Sequence, residues 1–320
     1  MFVTSLIRRV DFVMQISKQI LTSTMLTIWL ATCAIAQIAG PRPLTPATMP
    51  MRERLRTELT QFRGKVSLFA KNLDSGASFG IGENNRVPTA STIKLAIMVE
   101  AFSRVAEGKA KWTDELTLTN ARKVGGSGVL QELSDGLRLT LRDAVTLMMI
   151  VSDNTATNLS LDALTTDAVN ARMDMLGLPQ TRVLRKVFGG GTSRAGEDPT
   201  LKPYGLGVTT PLEMVTLLEK LERGDVISRE ASKEMLALVK REQVHGGIGR
   251  TLNGVEMATK SGALDQLRSN VGIIYTKRGR IAMAITCDEM PQIDWTDDNA
   301  GLLMLSRLSS ILIDGLGKAN

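Results

Sequence analysis

The chain has 320 residues, 39 Lys and Arg against 33 Asp and Glu, a net charge of +6, and 43% hydrophobic residues, which suits a globular protein with a sizeable core. The positive excess is spread out, with no basic tract suited to nucleic acid. With one histidine and two cysteines the chain cannot assemble a metal centre from several His and Cys ligands, so neither a metal nor another cofactor is expected.

The first 36 residues read as an export signal. Arg8, Arg9 and Lys18 form a basic lead-in, "ILTSTMLTIWLATCAIA" supplies the apolar stretch, and Ala34-Ile35-Ala36 has the small-x-small pattern of a cleavage site before Gln37. Met14 is an alternative start. A retained membrane anchor is the competing reading, but the stretch is short for a span and no second one follows. "LATC" resembles a lipoprotein box, with Thr32 a poor residue before Cys33. Cleavage leaves 36 basic and 32 acidic side chains, a net +4 over 284 residues, and the product is expected in the periplasm or secreted. Cys287 then stands alone, so no internal disulfide forms. Within "IAMAITCDE" it reads as a buried strand position.

Residues 37–50 are a proline-rich lead-in, and residues 51–320 read as one catalytic domain. "MRERLRTELTQF" has helical spacing. "GKVSLFAKNL", the turn Asp74-Ser75-Gly76 and "ASFGIG" predict a β-hairpin. A helix follows from Ser91, then an irregular stretch near Gly125 to Gly128, then helices from Thr140, about Thr155 and Thr166. A glycine- and proline-rich loop spans Arg185 to Val208, and helices return after Pro211 and near Ser228. "GVEMATKSGAL", "SNVGIIYTKRG" and "RIAMAITCDE" predict three strands, closed by a helix from about Asp297 to Asp314. This order predicts an α+β fold: a five-stranded, mostly antiparallel sheet flanked by N- and C-terminal helices, with an all-helical lobe (about 88–245) inserted and a cleft between the lobes.

Three short motifs stand at intervals. "STIK" runs from Ser91 to Lys94, and Ser91 is the only serine with a lysine three residues on. "SDN" at Ser152, Asp153 and Asn154 ends the apolar helix "LRDAVTLMMIV". "KSG" at Lys260, Ser261 and Gly262 lies on the first C-terminal strand. Each has a bland reading: a snorkelling helix lysine, a capped helix end, a strand ending at glycine. A Ser-His-Asp hydrolase would have to rest on His245, which sits beside two glycines and reads as a surface loop residue. Lysine is then the remaining strong candidate to activate a nucleophile. Ser91 at a helix start gains from the positive end of the dipole, and Lys94 lies on the same face one turn on. Burial and the charge of Lys260 would lower the Lys94 pKa and favour the neutral amine.

Together, in this order, the motifs resemble the S-x-x-K, S-D-N and K-T-G set of class A β-lactamases and penicillin-binding proteins, with serine for threonine at Ser261. "SDNTATNL" and "RVPTASTIKL" are similar to the corresponding family stretches, and the likeness covers nearly all of the chain from Arg52. The resemblance implies a Ser91 nucleophile, Lys94 as its base and Ser152 as the proton relay to the leaving nitrogen. It implies that Asn154 holds the substrate's amide side chain. Lys260 and Ser261 would bind its carboxylate, and backbone N–H groups of Ser91 and Ala263 would form the oxyanion hole. Arg268 reads equally as a second carboxylate contact or a plain surface arginine. The expected partner is a small-molecule β-lactam or a peptidoglycan-type peptide, met by a monomer.

One departure stands out. The class A loop carries an E-x-x-L-N glutamate that activates the deacylating water, and alignment on "TRVLR" puts Val187 in its place. Glu197 and Asp198 are the only acids in this loop, and either would have to fold back to substitute. Acylation is therefore expected to work while deacylation is slow or takes another route. A cell-wall peptidase or transpeptidase, where no such glutamate is needed, is the second reading. A protein that stays acylated as a sensor, or only binds, is the third.

Overall fold

The computed structural model describes residues 49–317. The expected signal segment, Cys33 and nearly all of the proline-rich lead-in lie outside the described residues. Eight α-helices and a five-stranded sheet make up the main body. Helix α1 (Met51–Gln61) leads into strands β1 (Lys65–Asn72) and β2 (Ser78–Ile81). The helical block follows: α2 (Lys94–Ala106), α3 (Leu141–Ile150), α4 (Asn154–Leu164), α5 (Thr166–Met175), α6 (Pro211–Arg223) and α7 (Arg229–Val239). Strands β8 (Glu256–Leu264), β9 (Leu267–Thr276) and β10 (Gly279–Asp288) return to the sheet, and α8 (Ala300–Leu316) closes the chain. The pairs β3 (Val87–Pro88), β6 (Arg182–Val183) with β7 (Gly207–Thr209), and β4 (Glu115–Thr117) with β5 (Arg138–Thr140), form two small side sheets. Sequence pattern missed these because two- and three-residue strands carry no period.

The main sheet has the order β2-β1-β10-β9-β8, and every pairing is antiparallel. Its two faces differ. Side chains alternate across a strand, so Ala258, Val271, Ile273, Ala282 and Ala284 face the helical block. Leu68, Ile274, Ile281, Met283, Ile285 and Cys287 face α1 and α8. The three alanines on the first face let the helical block approach closely; larger side chains fill the space under the two terminal helices. Cys287 is fully buried on β10, as its strand reading expected, and burial pushes its thiol pKa up.

The local signals explain the helix ends. Thr140 and Asp143 form a reciprocal capping box at α3. Thr210 caps α6 with Pro211 in its first turn, and Gly224 ends it in the left-handed conformation. Strand β8 is an edge of the sheet, so one row of its backbone N–H groups is left without a strand partner. That row faces the helical block.

Candidate active site

Ser91 sits in a tight turn between β3 and α2. The sequence reading started a regular helix at Ser91; instead a 3₁₀ turn spans Ala90–Ile93 and α2 begins at Lys94. Ala90, just before the serine, is held at φ 45°, a left-handed conformation that non-glycine residues rarely adopt. Three residues per turn puts positions 91 and 94 on one side of the 3₁₀ segment. Ser91 lines a cleft of about 1500 Å³, while Lys94 is fully buried beneath it.

The Lys94 ammonium is spent on the SDN motif. Its Nζ donates to Ser152 O at 2.7 Å, Ser152 Oγ at 3.1 Å and Asn154 Oδ1 at 3.1 Å. No hydrogen bond joins it to Ser91 Oγ, which the spacing alone had suggested. Burial first, and the Lys260 charge second, push the Lys94 pKa well below the ordinary lysine range, against the pull of Asp153 and Glu242.

The SDN segment organises the site as well as contributing to it. Ser152 is nearly buried with φ 55°, a strained conformation between α3 and α4. Asp153 caps α4 through Ala156 N at 2.8 Å, so the bland capping role is also present. Its other oxygen accepts from Val129 N at 2.7 Å and Leu130 N at 2.9 Å. The carboxyl packs so tightly that a Cβ at Gly128 would lie 2.3 Å from it. Asn154 Nδ2 donates to Gly125 O at 3.0 Å. The irregular stretch near Gly125 to Gly128 is thereby fixed as one wall of the cleft, and Ser152 and Asn154 both line it.

The KSG strand forms the opposite wall. At Gly262 a Cβ would stand 2.7 Å from Thr89 O and 3.1 Å from Ser91 N, so only glycine lets β8 meet the nucleophile's turn this closely. Ser261 N leaves the sheet at its open edge, towards Glu242; Ala263, two residues on and so in the same phase of the strand, lines the cleft together with Ser91. Lys260 is fully buried and does not line the cleft. Its Nζ meets Glu242 Oε1 at 2.5 Å.

Glu242 is the residue that sequence reasoning missed. It is buried, and its Oε1 also accepts from Ser261 N at 2.8 Å and Ser261 Oγ at 2.7 Å. Thr259 Oγ1 donates to its Oε2 at 3.1 Å. "VKREQV" reads as a solvated helix end, and most glutamates in such stretches are exposed. A signal was nevertheless present: Ser232, Met235, Val239 and Glu242 continue one buried helical stripe at spacings of three and four.

Of the two readings of Arg268, the surface one fails, and the residue does line the cleft. It is buried on β9, lies 4.6 Å from the Trp295 ring, and donates to Leu264 O at 2.5 Å, Leu267 O at 2.7 Å and Asp294 O. These bonds tie the β8–β9 turn to the segment before α8. His245 is exposed in its loop, as expected, and does not line the cleft.

A family model described as the beta-lactamase enzyme family matches residues 50–316. The chain belongs to this family. It is similar to beta-lactamase CARB-3 of Pseudomonas aeruginosa, 27% identical over 207 residues, which cover 62% of this chain and 67% of that protein. Among solved structures, a beta-lactamase from Sphaerobacter thermophilus superposes with a TM-score of 0.73 at 28% identity, covering 84% of this chain and 98% of that one. A mutant of PBP-A, solved as an acyl-enzyme complex with penicillin G, gives a TM-score of 0.71 at 25% identity, covering 84% and 96%. The expected α+β architecture is thus that of the β-lactamases and penicillin-binding serine hydrolases.

Against that family pattern, the loop after the helical block is distinctive. Val187 is stapled to α4, its N–H donating to Asn158 Oδ1 at 2.9 Å and its carbonyl accepting from Asn158 Nδ2 at 3.2 Å. Val187 and Phe188 line the cleft, and Phe188 is 72% exposed with φ 58°. Glu197 and Asp198 are exposed and neither lines the cleft; Asp198 instead accepts from Thr200 N and Oγ1 at 2.8 Å. The fold-back of either acid is therefore absent. No other carboxylate of this loop takes the glutamate's place.

Proposed function

We propose that this chain is an exported serine hydrolase that opens β-lactams, or related cyclic amides and esters, through an acyl-enzyme on Ser91, and that clears the acyl group slowly. The observation that carries the reading is Lys94: a fully buried amine with a lowered pKa, bonded to Ser152 Oγ at 3.1 Å under the cleft that Ser91 lines. In the neutral form Lys94 keeps two donors and frees a lone pair. The Ser91 hydroxyl proton passes to that amine as Oγ attacks the carbonyl carbon. Charge builds on the carbonyl oxygen, and the backbone N–H groups of Ser91 and Ala263 receive it. The C–N bond then breaks, with Ser152 passing a proton from Lys94 to the leaving nitrogen. Similarity to a PBP-A mutant trapped with penicillin G supports this assignment.

Water attack on the ester needs a positioned base, and Val187 supplies none. Losing a general base costs a factor of roughly 10² to 10⁴ in the step it serves. The same valine favours a second reading, a peptidase or transpeptidase acting on cell-wall peptides, in which a substrate amine or water clears the ester without that glutamate. Export rests on the sequence of residues 1–36.

The test mixes the mature protein with a chromogenic cephalosporin and follows turnover and protein mass together. A single adduct that forms quickly and decays slowly supports the proposal, and Ser91→Ala should abolish it. An adduct that survives Ser91→Ala, or none in the parent protein, would refute it.

A further inference from the structure

Lys260 and Ser261 of the KSG motif carry three donors between them that converge on one carboxylate. Lys260 Nζ at 2.5 Å, Ser261 N at 2.8 Å and Ser261 Oγ at 2.7 Å converge on the single oxygen Glu242 Oε1. The Ser261 hydroxyl has one hydrogen, and it is given to Glu242; towards a ligand in the cleft this oxygen can only accept. The Lys260 charge is matched by a carboxylate in direct contact, both side chains essentially without solvent exposure. Arg268 also lines the cleft, but its Nη1 donates to Leu264 O and Leu267 O and its Nη2 to Asp294 O, which turns its fork towards the β8–β9 turn. A substrate carboxylate placed against Ser261 would meet an acceptor-only hydroxyl, a Lys260 charge already matched and, in Glu242, a second negative group.

We propose that Glu242 sets the substrate class of this site, turning the subsite at Ser261 from one that takes a carboxylate into one that takes a neutral, hydrogen-bond-donating group such as a primary carboxamide. A carboxamide N–H meets the Ser261 Oγ lone pair directly and brings no charge beside Glu242. The inference rests on the reading of the cleft as an acyl-transfer site, but it concerns binding and is tested without chemistry.

The experiment uses calorimetry on the full mature chain carrying Ser91→Ala, with benzylpenicillin and its primary carboxamide as matched probes. The carboxamide is expected to bind about tenfold more tightly, the size of one well-made against one unmade buried hydrogen bond. Adding Glu242→Gln restores an uncompensated Lys260 charge and should reverse the preference. The comparison of the two probes on the Ser91→Ala protein needs no change at 242, so it decides even where Glu242→Gln does not fold. Tighter binding of the acid in the presence of Glu242, a preference that Glu242→Gln leaves unchanged, or no binding of either probe would each overturn the proposal. Adduct mass on the parent protein is read separately. A chain that prefers the carboxamide yet is never acylated therefore counts against the acyl-transfer reading alone.

Discussion

Two lysines lie fully buried on either side of the cleft, and they are held in opposite ways. Lys94 meets only neutral oxygens, those of Ser152 and Asn154. Lys260 meets the Glu242 carboxylate at 2.5 Å. Burial disfavours the ammonium of Lys94, and only Lys260 has a counter-charge in contact. The pocket around Lys94 is therefore suited to an amine that gives up its proton, while Lys260 is tied to a carboxylate. The partner that a buried lysine is given, more than its burial, decides whether it does chemistry or architecture.

The strongest way to break this contrast is at Lys94. Lys94→Met should lower the rate of Ser91 acylation by roughly 10² to 10⁴, the weight of a general base, read by adduct mass against time. An unchanged rate would move the base elsewhere. Val187→Glu sharpens the other half of the account. It places an acid at the point stapled by Asn158, and deacylation should accelerate by up to about 10²-fold, at the lower end of general-base effects, with acylation unaltered. Steady-state turnover of a chromogenic cephalosporin reports it. A smaller effect is expected at Asp153, which accepts three hydrogen bonds from backbone N–H groups and does not line the cleft. Asp153→Ala removes a cap and two loop bonds and should cost about 2 to 4 kcal/mol of stability, seen as a lower Tm. Smallest of all, Arg268→Lys keeps the charge but loses the planar fork over Trp295, and should cost roughly 1 kcal/mol in the same melt.

The sequence carried the periodic parts of this molecule well. The continuous apolar run in "RIAMAITCDE", a strand buried on both faces, and the capped run "LRDAVTLMMIV", a helix with one buried face, both form where expected. The motif spacing likewise brought Ser91, Ser152 and Asn154 to one cleft, with Lys94 beneath it and β8 opposite. Local spacing could not report where a side chain spends its donors. Ser91 and Lys94 share a side, yet the amine turns to an oxygen 58 residues further along the chain. The burial of Arg268 was not legible because its acceptors are backbone carbonyls, which leave no mark in composition. Glu242 was hidden for a different reason: its side-chain partners come from β8, 17 to 19 residues away. The buried stripe from Ser232 was the one cue to its direction.

The pH profile of single-turnover acylation tests the central claim most directly. The base form of Lys94 exists above its pKa, and burial and Lys260 push that pKa down, so the rate should rise with pH and level off well below the ordinary lysine range near 10.4. Lys94→Met should remove that rise. A rate that climbs only as ordinary lysines titrate, or a rise that persists unchanged in Lys94→Met, would contradict the account.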